Sequence, residues 1–275
     1  MTGAFPEWAF SPFETCSTGL RDIGRVHRAS LLGLRAIVEL PKYLPQLLSP
    51  AQKRELAEFE MRIRHSIEST AKTAETVKVD IRRDVRLINA SAVVSLWSAL
   101  EVGIEDFLIA WMMNQRGTLS VPALRKTKIT LAEYDELDLE GRMRVLLGEL
   151  ERSVIGKQGV DCSEPLLDTF GLSGPVDKTT KAAIYEMQQV RNVVVHRGGR
   201  ADRRFVEACP GWGAKVNQPL KVMAKHCWDY RRAVAGYVLT VAERVAARLG
   251  ATDSPELVRL GSSLREARVA APLGR

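Results

Sequence analysis

Along most of this chain apolar residues recur every three or four positions, the spacing of one face of an α-helix rather than of a strand. The clearest run covers 90–114, where Val93, Leu96, Leu100, Ile104, Phe107 and Trp111 mark one continuous apolar face and predict a core helix. Gly117 and Pro122 end it, a polar stretch follows over 125–138, and a short helical pattern resumes over 142–152. Upstream, Ser49 can cap a helix and Pro50 can take its first position, and no Pro or Gly then appears before Gly103. Two helices are expected there, divided near 89–91. Pro6, Pro12, Pro41, Pro45 and Pro50 punctuate the start of the chain and leave room for one short helix over 20–40, carried by Ile23, Val26, Leu31, Leu34 and Val38.

Further on, 156–175 holds four glycines and two prolines and reads as a connection with at most a turn of helix. The next helix starts near 176–180, runs through Ile184, Met187 and Val190 to Val194, and meets its stop at Gly198-Gly199. A last strong helix is expected over 220–249, with Val222, Cys227, Tyr230, Val234, Tyr237 and Val241 facing inward, the arginines outward, and Gly250 as its stop. The tail from Ser254 has room for one more short helix. The pattern therefore describes an all-α helical bundle: an amino-terminal wrap over 1–50, a helical domain over 51–250 with an insert at 117–175, and a tail over 251–275.

Composition narrows the chemistry. With 275 residues, 45% hydrophobic and 27% charged, the chain can bury an ordinary core. Its charge of +7, from 40 Lys and Arg against 33 Asp and Glu, permits nucleic-acid binding without demanding it. Cys16, Cys162, Cys209 and Cys227 lie far apart, and His27, His65, His196 and His226 complete no zinc spacing, so neither a metal site nor a disulfide framework is expected, and a reducing cytoplasm fits. Adjacent His226 and Cys227 diverge by ~100° on a helix, which puts one in the core and one at the surface. The amino terminus lacks a signal-peptide pattern, and Glu105 and Asp106 interrupt the most apolar stretch, so neither secretion nor a membrane span is expected. There is no phosphate-binding glycine loop, no nucleophile elbow and no His-Glu-x-x-His.

What stands out is Arg191-Asn192-Val193-Val194-Val195-His196, an arginine and a histidine with four residues between them, followed by the Gly198-Gly199 stop. Upstream lies Val94-Ser95-Leu96-Trp97-Ser98-Ala99-Leu100-Glu101, an amphipathic helix with an aromatic and then an acidic residue. Together these resemble the signature of the HEPN superfamily over about 90–249. The resemblance implies a HEPN-like core and a metal-independent endoribonuclease of the kind found in toxin–antitoxin and anti-phage systems. It further implies a homodimer whose paired motif helices build a composite site, no cofactor, RNA as the partner, and an antitoxin protein as a second one.

The chemistry is intelligible from the residues. Cleaving RNA needs a base for the 2′-hydroxyl, a donor for the leaving oxygen and positive charge at the pentavalent phosphate, which histidine and arginine supply. His196 is read as general acid or base, Arg191 as stabilising the phosphorane, Asn192 as positioning the phosphate and Glu101 as orienting Arg191. On an ideal helix His196 is turned by ~140° from Arg191, so the pair shares a face only if the helix ends or loosens at Gly198-Gly199, while Asn192 and His196 share one. Arg197, Arg200, Arg203 and Arg204 follow at once and are read as phosphate contacts, and Trp212 as a platform for an unpaired base. Blander readings stand beside these: a helix end with Arg191 paired to a carboxylate, a solvated arginine loop, and Trp212 as a structural cap. The alternative function is a non-catalytic helical module binding RNA, nucleotide or a partner protein. A DNA-binding regulator is weaker, since no helix-turn-helix is evident.

Overall fold

The computed structural model describes residues 3–43, 57–82, 85–115, 117–124, 134–152 and 155–269. Ser49 and Pro50, much of the polar stretch at 125–138, and the end of the tail lie outside them. The fold is all-α. In chain order the helices are α1 (Glu7–Tyr43), α2 (Ala57–Arg82), α3 (Arg86–Asn114), α4 (Leu139–Arg152), α5 (Glu164–Thr169), α6 (Lys178–Arg197), α7 (Arg203–Ala208), α8 (Ala224–Leu249) and α9 (Pro255–Val269).

Helix α3 is the hub, packed against α1, α4, α6 and α8. All six residues of its expected apolar face are buried, and so are Leu108, Ile109 and Met112 on its other sides. By length and composition α3 alone among the described helices is apolar enough to cross a membrane. In this fold the same apolar character suits a helix ringed by others.

The amino-terminal region departs most from expectation. In place of a short helix inside a wrap, α1 runs for 37 residues and carries Pro12 and Pro41 within it. An interior proline costs roughly 3 kcal/mol. Against that, Phe10, Phe13 and Leu20 are buried in a helix whose main partner is α3, each worth about 2 kcal/mol. Phe13 stacks on Phe107 at 4.7 Å and Trp8 meets Trp111 edge-on at 5.9 Å. Helix α9 closes the opposite flank through Leu260 and Leu264, with Ser17 and Ser263 hydrogen-bonded at 2.7 Å. One continuous core cluster runs from Phe5 to Leu264, so α1 and α9 both contribute to the core.

Other boundaries shift for identifiable reasons. The break between α2 and α3 falls at Val85, in the left-handed region at φ 47°, not at 89–91. Asn89 stays helical because burial gives it partners: its Nδ2 donates to the Val222 carbonyl at 2.8 Å, and its Oδ1 lies 2.7 Å from His27 Nε2. Helix α8 begins four residues later than expected. The backbone of 217–220 is already engaged with 199–201, where Ala201 N–H donates to Gln218 O and Leu220 N–H to Gly199 O. The 156–175 segment holds a 3-10 turn and α5, with Val160, Leu166, Leu167 and Leu172 in the core. Arg231 is buried rather than outward, and desolvation together with nearby Arg28 lowers its pKa.

Two helical glycines make opposite predictions. A Cβ on Gly103 of α3 would lie 2.8 Å from Cys16 Sγ and 2.9 Å from Cys16 Cβ on α1, whereas a Cβ on Gly33 of α1 would meet nothing within 4 Å. Gly103→Ala is expected to destabilise by about 1–2 kcal/mol, since overpacking outweighs the gain in helix propensity. Gly33→Ala is expected to stabilise by up to about 1 kcal/mol. Urea unfolding of both variants checks this, and a shift in the same direction for the two would contradict the close α1–α3 approach.

Candidate functional site

Asp177 caps the start of α6, accepting from the backbone N–H groups of Thr179 at 2.9 Å and Thr180 at 3.2 Å. At the other end Gly198 takes the left-handed conformation, φ 57°, and Gly199 N–H reaches back to the Val193 carbonyl at 3.0 Å. This closure satisfies end carbonyls and holds the last turn helical through Arg197. The glycine pair therefore does not loosen the helix. Of the valine triplet only Val193 enters the core, Val194 is half-buried and Val195 is 48% exposed, as three consecutive helical positions must diverge.

Arg191 and His196 nevertheless meet. The length of the arginine side chain spans the angle the helix imposes: Arg191 Nη1 lies 3.3 Å from His196 Nε2 and donates to Asn192 Oδ1, also at 3.3 Å. A guanidinium has donors only, so in this contact His196 Nε2 is the acceptor and the ring N–H sits on Nδ1. His196 is exposed and Arg191 is half-buried, with its Nε buried and lacking a hydrogen-bond partner. Among the described residues no carboxylate pairs with either.

Glu101 is placed elsewhere. It is exposed on α3 and makes no hydrogen bond or ion pair with Arg191. It stands instead in an acidic group with Glu105 and Glu151, whose carboxyls are pushed above their ordinary values first by desolvation and then by mutual repulsion, Glu101 contributing to both. Raised folded values mean that these two groups favour the fold most when protonated, at acid pH, and that this contribution is lost as pH rises through the shifted pKa. Glu151→Gln is therefore expected to raise the melting temperature at pH 7 and to lose that advantage below pH ~4. Equal effects at pH 7 and pH 3.5 would contradict it.

Most of the arginine run is tied down. Arg197 pairs with Asp202 at 3.5 Å, Arg203 with Glu207 at 2.8 Å, and Arg200 Nη1 donates to the Asn217 carbonyl at 3.2 Å. Arg204 is exposed and has no ion pair among the described residues. Trp212 is half-buried, edge-on to Phe205 at 5.5 Å and packed against His226 at 4.4 Å, an arrangement that makes it part of the wall between α6 and α8.

Two polar clusters between helices carry no signal in the sequence. In one, the Tyr230 hydroxyl of α8 donates to Glu186 of α6 at 2.6 Å, beside half-buried His226, whose pKa is lowered chiefly by desolvation. In the other, Glu164 of α5 joins Arg244 and Tyr237 of α8. Tyr230 and Tyr237 sit in the inward stripe read from spacing, but their carboxylate partners come from other helices.

The fold and site define an all-α protein with an Arg–Asn–His constellation on the exposed end of a helix. No family model matches the chain, and neither a curated protein nor a solved structure does.

Proposed function

We propose that the chain is a HEPN-like, metal-independent endoribonuclease acting at Arg191, Asn192 and His196. The observation that carries this reading is the 3.3 Å approach of Arg191 Nη1 to His196 Nε2 on an accessible helix end, where no carboxylate among the described residues neutralises the arginine. A phosphate arriving there offers the guanidinium a stronger, charge-assisted partner than the imidazole. Drawn to the phosphate, Arg191 stabilises the pentavalent intermediate and releases His196 Nε2, which can then take the 2′-hydroxyl proton. The 2′-oxygen attacks phosphorus, the bond to the 5′-oxygen breaks, and that oxygen receives a proton from an acid. The products are a 2′,3′-cyclic phosphate and a 5′-hydroxyl.

One histidine cannot be base and acid in the same step. The proposal therefore includes a second copy of the chain that brings its own motif to the cleft, as the resemblance implies. A toxin or anti-phage setting in the cytoplasm, with an antitoxin as partner, belongs to the same reading. Arg204 is the arginine of the run best placed to take a phosphate, since Arg197, Arg200 and Arg203 already have partners.

The test is RNA cleavage by purified protein in EDTA, with the product ends identified and with Arg191→Ala and His196→Ala run in parallel. Cyclic phosphate ends from the wild type alone support the reading. No cleavage across a broad RNA panel favours the helical module that binds RNA, nucleotide or a partner protein.

A further inference from the structure

Two adjoining clefts of 630 and 410 Å³ share Glu186 of α6 and His226 of α8, the larger lying between the two helices and the smaller lined mainly by the 211–223 segment. Trp212, Gln218 and Lys221 wall the smaller one. The polar atoms at the divide have fixed roles. The Tyr230 hydroxyl donates to Glu186 Oε1 at 2.6 Å, which orients the carboxylate and leaves Oε2 to accept from elsewhere. Met223 N–H donates to His226 Nδ1 at 3.1 Å, so Nδ1 carries the lone pair and the neutral ring keeps its N–H on Nε2. Trp212, 4.4 Å from the imidazole and tilted by 33°, fixes the plane of that ring. An acceptor on Glu186 and a donor on His226 thus line one cleft beside an aromatic side chain, in a space of the size small ligands occupy.

We propose that the smaller cleft is a nucleobase subsite that reads a donor beside an acceptor on the base edge, Glu186 accepting from the donor and His226 Nε2 donating to the neighbouring acceptor. Adenine presents its 6-amine beside N1 and cytosine its 4-amine beside N3. Guanine gives the carboxylate its 2-amine and N1–H and the imidazole its O6. Uracil offers its N3–H beside O4, the same pair that guanine presents with N1–H and O6. The ribbon that pairs 199–201 with 217–220 links this cleft to the arginine run, since Gln218 and Pro219 line the cleft and Arg200 bonds to Asn217. The inference rests on the ribonuclease reading for why a nucleotide arrives, yet binding at this subsite requires no cleavage.

The test titrates the full chain with uridine and with N3-methyluridine, which lacks the N3–H donor, both phosphate-free so that the arginines contribute little, using calorimetry and tryptophan fluorescence. Uridine is expected to bind at least about tenfold more tightly than N3-methyluridine, because the methylated base leaves the carboxylate without its donor. In Glu186→Gln the amide oxygen still accepts from Tyr230 while the charge is gone, and the preference should vanish. Gly211→Phe, at a position where a Cβ meets nothing within 4 Å, should fill the cleft and block both nucleosides. Trp212→Phe should remove the fluorescence response. Equal affinity for the two nucleosides, no binding of either, or a preference that persists in a Glu186→Gln protein with wild-type circular dichroism would each overturn the proposal. A failed RNA-cleavage assay would leave this titration unchanged, so the two readings fail separately.

Discussion

His196→Ala is expected to lower RNA cleavage by about 10²- to 10⁴-fold, the range for loss of a general acid or base, with helix content unchanged. His196 is exposed and its side-chain hydrogen bond is to Arg191, so truncation removes little that holds the fold together. Arg191→Ala should cost about 10²- to 10³-fold, as for loss of one preorganised donor to a developing charge. Its structural cost is also small, because the arginine Nε is buried without a partner and truncation removes that unmet group. Arg191→Lys keeps the charge but loses the planar guanidinium whose Nη1 reaches both Asn192 and His196, so it should recover only part of the activity. The double variant should be little worse than the worse single one, as for residues acting as a unit. Cleavage that survives His196→Ala at the wild-type rate would end the proposal.

The largest expected loss of stability follows from Glu164→Ala. Glu164 Oε1 accepts from the Tyr237 hydroxyl at 2.8 Å and from Arg244 Nη1 at 2.9 Å, and Oε2 accepts from Gly174 N–H at 3.0 Å. Arg244 Nη2 also donates to the Pro175 carbonyl at 2.8 Å. Only 16% of the Arg244 side chain and 15% of that of Glu164 are exposed. The Tyr237 hydroxyl is pushed well above its ordinary pKa, first by burial and then by the neighbouring carboxylate, so it remains a donor throughout the neutral range. Removing the carboxylate strands a buried guanidinium and a buried hydroxyl at once, at a cost of roughly 3–5 kcal/mol. Against a typical stability of about 5–15 kcal/mol this should move the urea midpoint strongly. Glu164→Gln should cost less, since its amide oxygen still accepts from Tyr237. Adding Arg244→Met to it should restore part of the loss, because the stranded charge is then gone. An unchanged midpoint for Glu164→Ala would show that α5 is not anchored to α8 through this pair.

The hydrophobic spacing by itself determined the all-α class, the central helix with Val93 through Trp111 buried, the course of α6 to its glycine stop, and the inward stripe of α8. These are legible because a helix repeats every 3.6 residues and its core face must repeat with it. The Arg191-Asn192…His196 constellation was legible as a string, but its meeting was not. An ideal helix turns the two ends apart, and only the reach of the arginine side chain along the exposed surface brings Nη1 to Nε2. The tertiary structure alone decided that Pro12 could sit inside a long α1, since the benefit lies in aromatic contacts with α3, far along the chain, Trp8 with Trp111 and Phe13 with Phe107. It alone placed Glu101 in an acidic group away from Arg191, and it alone joined Glu186 to Tyr230 and Glu164 to Arg244. Those pairings lie between helices, and the position of a carboxylate along one helix carries no information about which side chain another helix will present to it.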